Sequence, residues 1–152
     1  YSKLGVNIIG LRYFNIFGEG QTIDYAGVIT KFIDRIKDGK APIIFGDGTQ
    51  IRDFIYVKDI AKMNLIAMES NIADLLVNVG TGKSRKFIDL ARCISISIGK
   101  KLTIDWADTP IEIREQYQYF TEANMTKLYK AGYNEKFASL EEGIAKYIEY
   151  LK

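Results

Sequence analysis

Apolar residues recur along this chain at two different periods, and the places where one period gives way to the other mark its elements. Residues 6–13 (Val-Asn-Ile-Ile-Gly-Leu-Arg-Tyr) are β-rich and apolar on both faces, the pattern of a buried parallel strand. Residues 14–26 follow as a loop containing Gly18 and Gly20. The spacing of Val28, Ile29, Phe32, Ile33 and Ile36 predicts a helix over 27–38 that stops at Gly39. Residues 43–57 read as strand, turn and strand: Gly46, Asp47 and Gly48 suit a tight turn, and Phe54, Ile55, Tyr56 and Val57 favour a strand. A second helix is expected from Lys58 to Glu69, apolar at Ile60, Ala61, Leu65 and Met68. Leu75–Val79 is a second buried strand, ending at Gly80-Thr81-Gly82, and a third helix fits 85–98 with Phe87, Leu90, Ala91, Ile94 and Ile98 facing inward. Leu102–Trp106 reads as a strand, 106–116 as a loop, and Tyr117–Phe120 as a short extended piece. A helix is expected from Thr121 through Leu128, followed by a loop at 133–138. Ser139 with Glu142 forms a capping box for a last helix striped by Leu140, Ile144, Tyr147, Ile148 and Leu151. The order is mixed α/β.

Composition narrows the class. The chain has 152 residues, 47% hydrophobic and 26% charged, with two prolines, so it is one folded domain able to bury a core. A net charge of +2 makes no electrostatic case for nucleic acid or a membrane surface, and no apolar run approaches a membrane span. The lone Cys93 sits in a helical apolar pattern, which argues against a disulfide framework and for a reducing, cytoplasmic setting. The sequence contains no histidine. That excludes Ser-His-Asp and Cys-His nucleophile pairs and imidazole bases, and makes a transition-metal site improbable. Catalysis by such a chain falls to carboxylates, Lys, Tyr or a cofactor. A chain that opens one step before a buried strand is expected to be a piece of something longer.

Three glycine motifs invite nucleotide readings. Gly82-Lys83-Ser84 fails as a P-loop because Val77 stands where its first glycine belongs. Gly18-x-Gly20 and Gly46-x-Gly48 fail as dinucleotide fingerprints because Ile23 and Ile51 occupy the last position. Arg52 is the stronger candidate. It stands beside a turn at the start of a strand, among aromatics, with a planar fork suited to a phosphate or carboxylate.

Four ordered motifs carry a resemblance: Leu11-Arg12-Tyr13-Phe14-Asn15 with Phe17-Gly18; Ile44-Phe45-Gly46-Asp47-Gly48; Arg52-Asp53-Phe54-Ile55-Tyr56-Val57-Lys58-Asp59-Ile60-Ala61; and Asn78-Val79-Gly80-Thr81-Gly82. Together they resemble the C-terminal half of the extended short-chain dehydrogenase/reductases, the NAD-dependent nucleotide-sugar epimerases and dehydratases. The resemblance runs through essentially the whole chain. It implies an α/β fold made of the last strands of a Rossmann-type parallel sheet and a small substrate-binding domain, all within 1–152. The family's glycine-rich loop and its Tyr-x-x-x-Lys pair lie outside this sequence; Tyr1 and Lys3 do not supply the pair, since Gly5 stands at the lysine position.

The resemblance also implies roles. Phe14 matches the residue whose backbone approaches the nicotinamide of NAD, a cofactor bound mainly by the family's other half. Asn15 matches a partner of the sugar nucleotide's phosphate, and Arg52 the arginine that binds its pyrophosphate. Val28 and Ile29 match positions lining the nucleotide site, and Ile44, Phe45 and Gly46 match the segment along the base; Val28, Ile29 and Ile44 fit a plain core equally well. In the family, hydride leaves a sugar carbon for NAD, the keto-sugar turns, and hydride returns to its other face, so the nucleotide must be gripped while the sugar moves.

Which sugar is divided between two resemblances. Gly46–Gln50 and Ala26–Ile29 look like UDP-glucose 4-epimerases. Tyr117-Gln118-Tyr119-Phe120-Thr121-Glu122-Ala123, with Lys127-Leu128 and Ala131-Gly132-Tyr133, looks like the tail of ADP-glycero-manno-heptose 6-epimerases. In that tail Tyr117 contacts substrate and Arg114 reaches the pyrophosphate. Asp24 and Tyr25 stand where a heptose epimerase has lysine and glycine. The UDP-glucose/UDP-galactose type is the preferred expectation, with the heptose type or another nucleotide-sugar epimerase or dehydratase as the alternative. A nucleotide-binding module without chemistry is a third, and the 152-residue chain alone is expected to be inactive. Homodimers are common in the resembled family, through helices mostly in its other half.

Overall fold

The computed structural model describes residues 5–22, 27–70, 75–115 and 117–152. Its elements are β1 (Ile9–Tyr13), β2 (Asn15–Phe17), α1 (Val28–Lys37), β3 (Ile43–Phe45), β4 (Ile51–Arg52), β5 (Phe54–Tyr56) and α2 (Val57–Glu69). They continue with β6 (Leu75–Val79), β7 (Arg85–Lys86), α3 (Phe87–Ile98), β8 (Asp105–Ala107), α4 (Ile111–Arg114), α5 (Thr126–Lys130) and α6 (Leu140–Tyr150). Tyr1, Lys3, Asp24, Tyr25 and Ala26, named above, lie outside the described residues.

Three strand pairs are parallel, β1 with β6, β2 with β5 and β3 with β8, and β4 runs antiparallel to β7. β5 separates two cores because side chains alternate across a strand. Phe54 and Tyr56 join the core formed with α1, α3 and α6, including Phe32, Ile33, Leu90, Ile94 and Ile144. Ile55 faces the other core, with Ile60 and Met63 of α2, Val77 and Val79 of β6, and Leu128 of α5. α6 crosses β2 and β5 closely: a Cβ on Gly143 would lie 2.8 Å from the Phe17 ring. Ser139 and Glu142 form the expected reciprocal cap, with Glu142 N–H donating to Ser139 Oγ at 3.2 Å and Ser139 N–H to the Glu142 carboxylate at 2.7 Å.

The structure departs from the sequence expectations in several places. In α2 the expected stripe of Ala61, Leu65 and Met68 is exposed, and Met63 is buried beside Ile60 instead because that is the side facing β5 and β6. β1 and β6 pair in parallel, but β1 is not buried: Val6, Ile8 and Tyr13 are exposed, as is Leu76 of β6, because β6 is the only strand on β1 among the described residues. Asn15–Phe17, expected in a loop, is a strand because β5 offers it a parallel edge. The segment 106–116, expected as a loop, contains the short helix α4. The helix expected from Thr121 begins at Thr126, because both backbone groups of Ile51 bond to the 119–121 segment and hold it extended beside β4, and the Asn124 side chain takes the Thr126 amide. Among the described residues no helix is long and apolar enough to cross a membrane.

Candidate functional site

The turn between β3 and β4 is built as its residues dictate. Gly46 and Gly48 adopt φ of 63° and 72°, and the Asp47 carboxylate accepts from the backbone and hydroxyl of Thr49. Buried Gln50 closes the turn by donating its amide to the Phe45 carbonyl. The chain leaves this turn directly into β4, so Arg52 is held against a fixed frame.

β4 has a neighbour on each side, and each brings an aromatic ring to Arg52. On one side β7 pairs with it, and Phe87, the first residue of α3, donates its amide to the Gln50 carbonyl at 3.1 Å. On the other, Ile51 N–H donates to the Tyr119 carbonyl at 2.9 Å and Thr121 N–H to the Ile51 carbonyl at 3.0 Å, which draws the 117–121 segment alongside. The Arg52 guanidinium consequently lies 5.6 Å from the Phe87 ring centroid and 5.7 Å from that of Tyr117. Both are cation–π distances. Its other contact is a 2.9 Å bond to the Ile51 carbonyl; among the described residues it has no carboxylate within ion-pair reach. Partial burial lowers the guanidinium's pKa from its ordinary value, offset in part by Tyr117; burial raises the Tyr117 hydroxyl, offset in part by Arg52. A partly buried guanidinium that meets no carboxylate among the described residues has donors left over for an anion.

Asn15 lies where the sheet forks. Phe14 N–H still donates to the Val79 carbonyl of β6 at 3.0 Å, whereas Asn15 N–H donates to the Asp53 carbonyl beside β5 at 3.1 Å. The Asn15 side-chain amide donates to the same carbonyl at 3.1 Å and to Thr121 Oγ1 at 3.3 Å. Asp53, fully buried, ties the fork together: one carboxylate oxygen accepts from Thr81 N–H at 2.8 Å and from the Thr81 hydroxyl, the other from Gly82 N–H at 2.9 Å and Ala123 N–H at 3.0 Å. The turn can approach this carboxylate only because residue 80 is glycine, since a Cβ there would lie 2.6 Å from Ala123 Cβ and 2.7 Å from Asp53 Oδ2.

The structure thus brings Arg52 and Tyr117 into contact and links Asn15 to them through Asp53 and Thr121. The remaining candidates stand apart. Ile29 and Ile44 are core side chains, which leaves only their backbone to any ligand, and Val28 packs partly against the same core. Phe45 ends β3 and Gly46 opens the turn after it, with Gly46 N–H donating to the Ala107 carbonyl at 2.9 Å. Arg114 is exposed on α4 and donates to the Thr109 carbonyl at 3.1 Å; it makes no hydrogen bond to the Arg52 group among the described residues. An apolar cavity of about 330 Å3 lined by Met63, Ile66, Leu128 and Tyr133, among others, does not include Arg52. Sequence reasoning left Asp53, Thr81 and Phe87 without a site role. The signal for Asp53 was a carboxylate set between Arg52 and an apolar strand, which required a buried partner that the sequence could not name.

Known proteins place this chain in a lineage. The sequence matches the model of the NAD dependent epimerase/dehydratase family over residues 1–80, more than half of the chain. Among solved structures, the chain is similar to the UDP-N-acetylglucosamine 4-epimerase of Methanobrevibacter ruminantium in complex with UDP-N-acetylmuramic acid. The identity is 34% and the TM-score 0.87, covering 99% of this chain and 47% of that one. It is similar to the UDP-glucose 4-epimerase of Thermotoga maritima with UDP-glucose at 30% identity and TM-score 0.87, with the same coverage. The UDP-glucuronic acid 4-epimerase of Bacillus cereus, in complex with UDP-glucuronic acid and NAD, matches at 27% identity and TM-score 0.81, covering 99% of this chain and 48% of that one. The chain therefore spans about half the length of the structures it resembles, and it belongs to the NAD-dependent epimerase/dehydratase family.

Proposed function

From that membership, we propose that this chain is the substrate-holding part of a nucleotide-sugar 4-epimerase, gripping the diphosphate and base of a UDP-sugar of the glucose/galactose type while the sugar turns. One observation carries the reading: the Arg52 guanidinium is held between the Phe87 and Tyr117 rings with no acidic partner among the described residues. Arg52 takes the pyrophosphate, Tyr117 covers one face of Arg52 and meets the substrate, and Asn15 meets a phosphate from the fork. The backbone at 44–46 runs along the base, with Val28 and Ile29 behind it, and Arg114 reaches the diphosphate from α4. The similar 4-epimerases holding UDP-sugars support uridine as the base.

For NAD, the residues present fit one end only. Phe14 ends the β1–β6 pair at the fork, with its N–H engaged by Val79, so its carbonyl is the backbone group left to face a nicotinamide. No Gly-x-Gly-x-x-Gly run in this sequence could receive the dinucleotide's phosphates, so the cofactor is held mainly by residues outside it. When bound, NAD supplies the hydride transfer; this chain's residues fix the nucleotide.

Calorimetric titration with UDP-glucose, UDP, ADP-glucose and ADP, on the chain and on Arg52→Ala, tests the reading. Losing a charged hydrogen-bond donor costs about 1.5–3 kcal/mol, so UDP affinity should fall at least about tenfold. Unchanged UDP binding by Arg52→Ala would refute the anchor. A second reading, a heptose 6-epimerase type, rests on the Tyr117–Ala123 run, and preference for ADP would favour it. The chain alone should turn over neither UDP- nor ADP-sugars.

A further inference from the structure

Four donors converge on the Asp53 carboxylate from two separate segments, the 81–82 turn after β6 and Ala123 in the tail. Both segments border the Arg52 group. The tail carries Tyr117, and it is Ile51 and Asp53, the residues flanking Arg52, that bond to Tyr119, Thr121 and Ala123. The carboxylate thus does two things at once: it fixes where β4 ends and where the tail lies. The Asp53 backbone carbonyl, a separate group, accepts from the Asn15 N–H and from the Asn15 side-chain amide, which also donates to Thr121 Oγ1 in the tail.

We propose that the Asp53 carboxylate is the positioning group of the anion grip, holding the tail so that the Tyr117 ring stays over Arg52 and Thr121 stays on the Asn15 amide. The inference rests on the proposed substrate role of Arg52. Asp53 itself is fully buried and reaches no ligand; it acts through the two residues it places. Asparagine cannot replace it. Each carboxylate oxygen faces two donors, so the amide NH2 would oppose either the Thr81 N–H, with the hydroxyl forced to turn, or the Gly82 and Ala123 amides.

The test combines UDP titration with the NMR resonance of the Arg52 side-chain Nε–Hε group, assigned with Arg52→Lys and displaced in the parent chain by the two ring currents. Asp53→Asn should lower UDP affinity about as much as Arg52→Ala, at least about tenfold. It should add less than about twofold in the Arg52→Ala background, as coupled residues do. It should also move the Arg52 resonance toward those of exposed arginines. Should Asp53→Asn fail to fold, Thr81→Val, which removes the hydroxyl that donates to Asp53 and accepts from Lys83 N–H, should produce the same changes in lesser degree, and Thr81→Ser should restore them. A folded Asp53→Asn or Thr81→Val chain with the Arg52 resonance unmoved and parental UDP affinity overturns the positioning role. If instead Arg52→Ala leaves UDP binding intact, the anchor reading fails, and the resonance alone decides the link from Asp53 to Arg52.

Discussion

The guanidinium of Arg52 and the ring of Tyr117 lie 5.7 Å apart, and they meet because Ile51 and Asp53, on either side of Arg52, hold the tail rather than through any attraction of their own. Their approach is a property of the backbone frame, so each side chain can be varied without moving the other's strand. Replacing Tyr117 with Phe keeps the ring and should leave UDP affinity within about twofold. Replacing it with Ala removes one of the two rings over a partly buried cation. A cation–π contact of about 0.5–2 kcal/mol predicts a loss of roughly 2- to 30-fold. Titration of UDP into the two variants measures both effects, and an equal loss in Tyr117→Phe would assign the effect to the hydroxyl instead.

Gly80 should tolerate no side chain. The first added carbon would meet Ala123 Cβ at 2.6 Å and Asp53 Oδ2 at 2.7 Å, both on backbone-anchored segments that have little room to give. Gly80→Ala is expected to destabilise the chain by about 1–3 kcal/mol, the usual cost of overpacking. Denaturant unfolding monitored by circular dichroism measures the change. A variant as stable as the parent would mean that the turn and the tail can separate.

Acid should weaken the packing of α6 on β7 through one pair. Arg85 donates to Glu141 at 2.8 Å, and this bond lowers the Glu141 carboxyl below the ordinary glutamate value. A carboxyl depressed in the folded chain adds stability that is complete above its unfolded pKa of about 4.3 and is lost as pH falls through the lower folded value. Melting temperature should therefore drop between about pH 5 and pH 3, and Glu141→Gln should flatten part of that drop. An identical acid profile in Glu141→Gln would remove this pair from the account.

Much of the fold could be read from periodicity because its helices are amphipathic and their ends chemically marked. Ser139 and Glu142 cap α6 as their spacing requires, and α1, α2 and α3 begin within a residue or two of the apolar patterns that announced them. Asp53 was opaque for the opposite reason. Its partners lie at positions 81, 82 and 123, and nothing local at residue 53 says that they will converge. The same convergence hid the start of α5. Residues 121–125 have enough helical character to suggest a turn, but pairing with Ile51 holds the chain extended through Thr121. Arg52 and Tyr117 were both singled out from sequence motifs; that they touch follows from β4 having a neighbour on each side.

The change of partner between Phe14 and Asn15 places two successive peptide groups in different cooperative units. The Phe14 amide exchanges with solvent when the pair with β6 opens, and the Asn15 amide only when the pair with β5 parts. Slow breathing of the exposed β1–β6 ribbon can therefore die out within one residue. What motion does pass between them goes through Asp53, whose carboxylate holds the turn after β6 and whose carbonyl holds Asn15, so this one buried residue sets how far the two pairs can open independently.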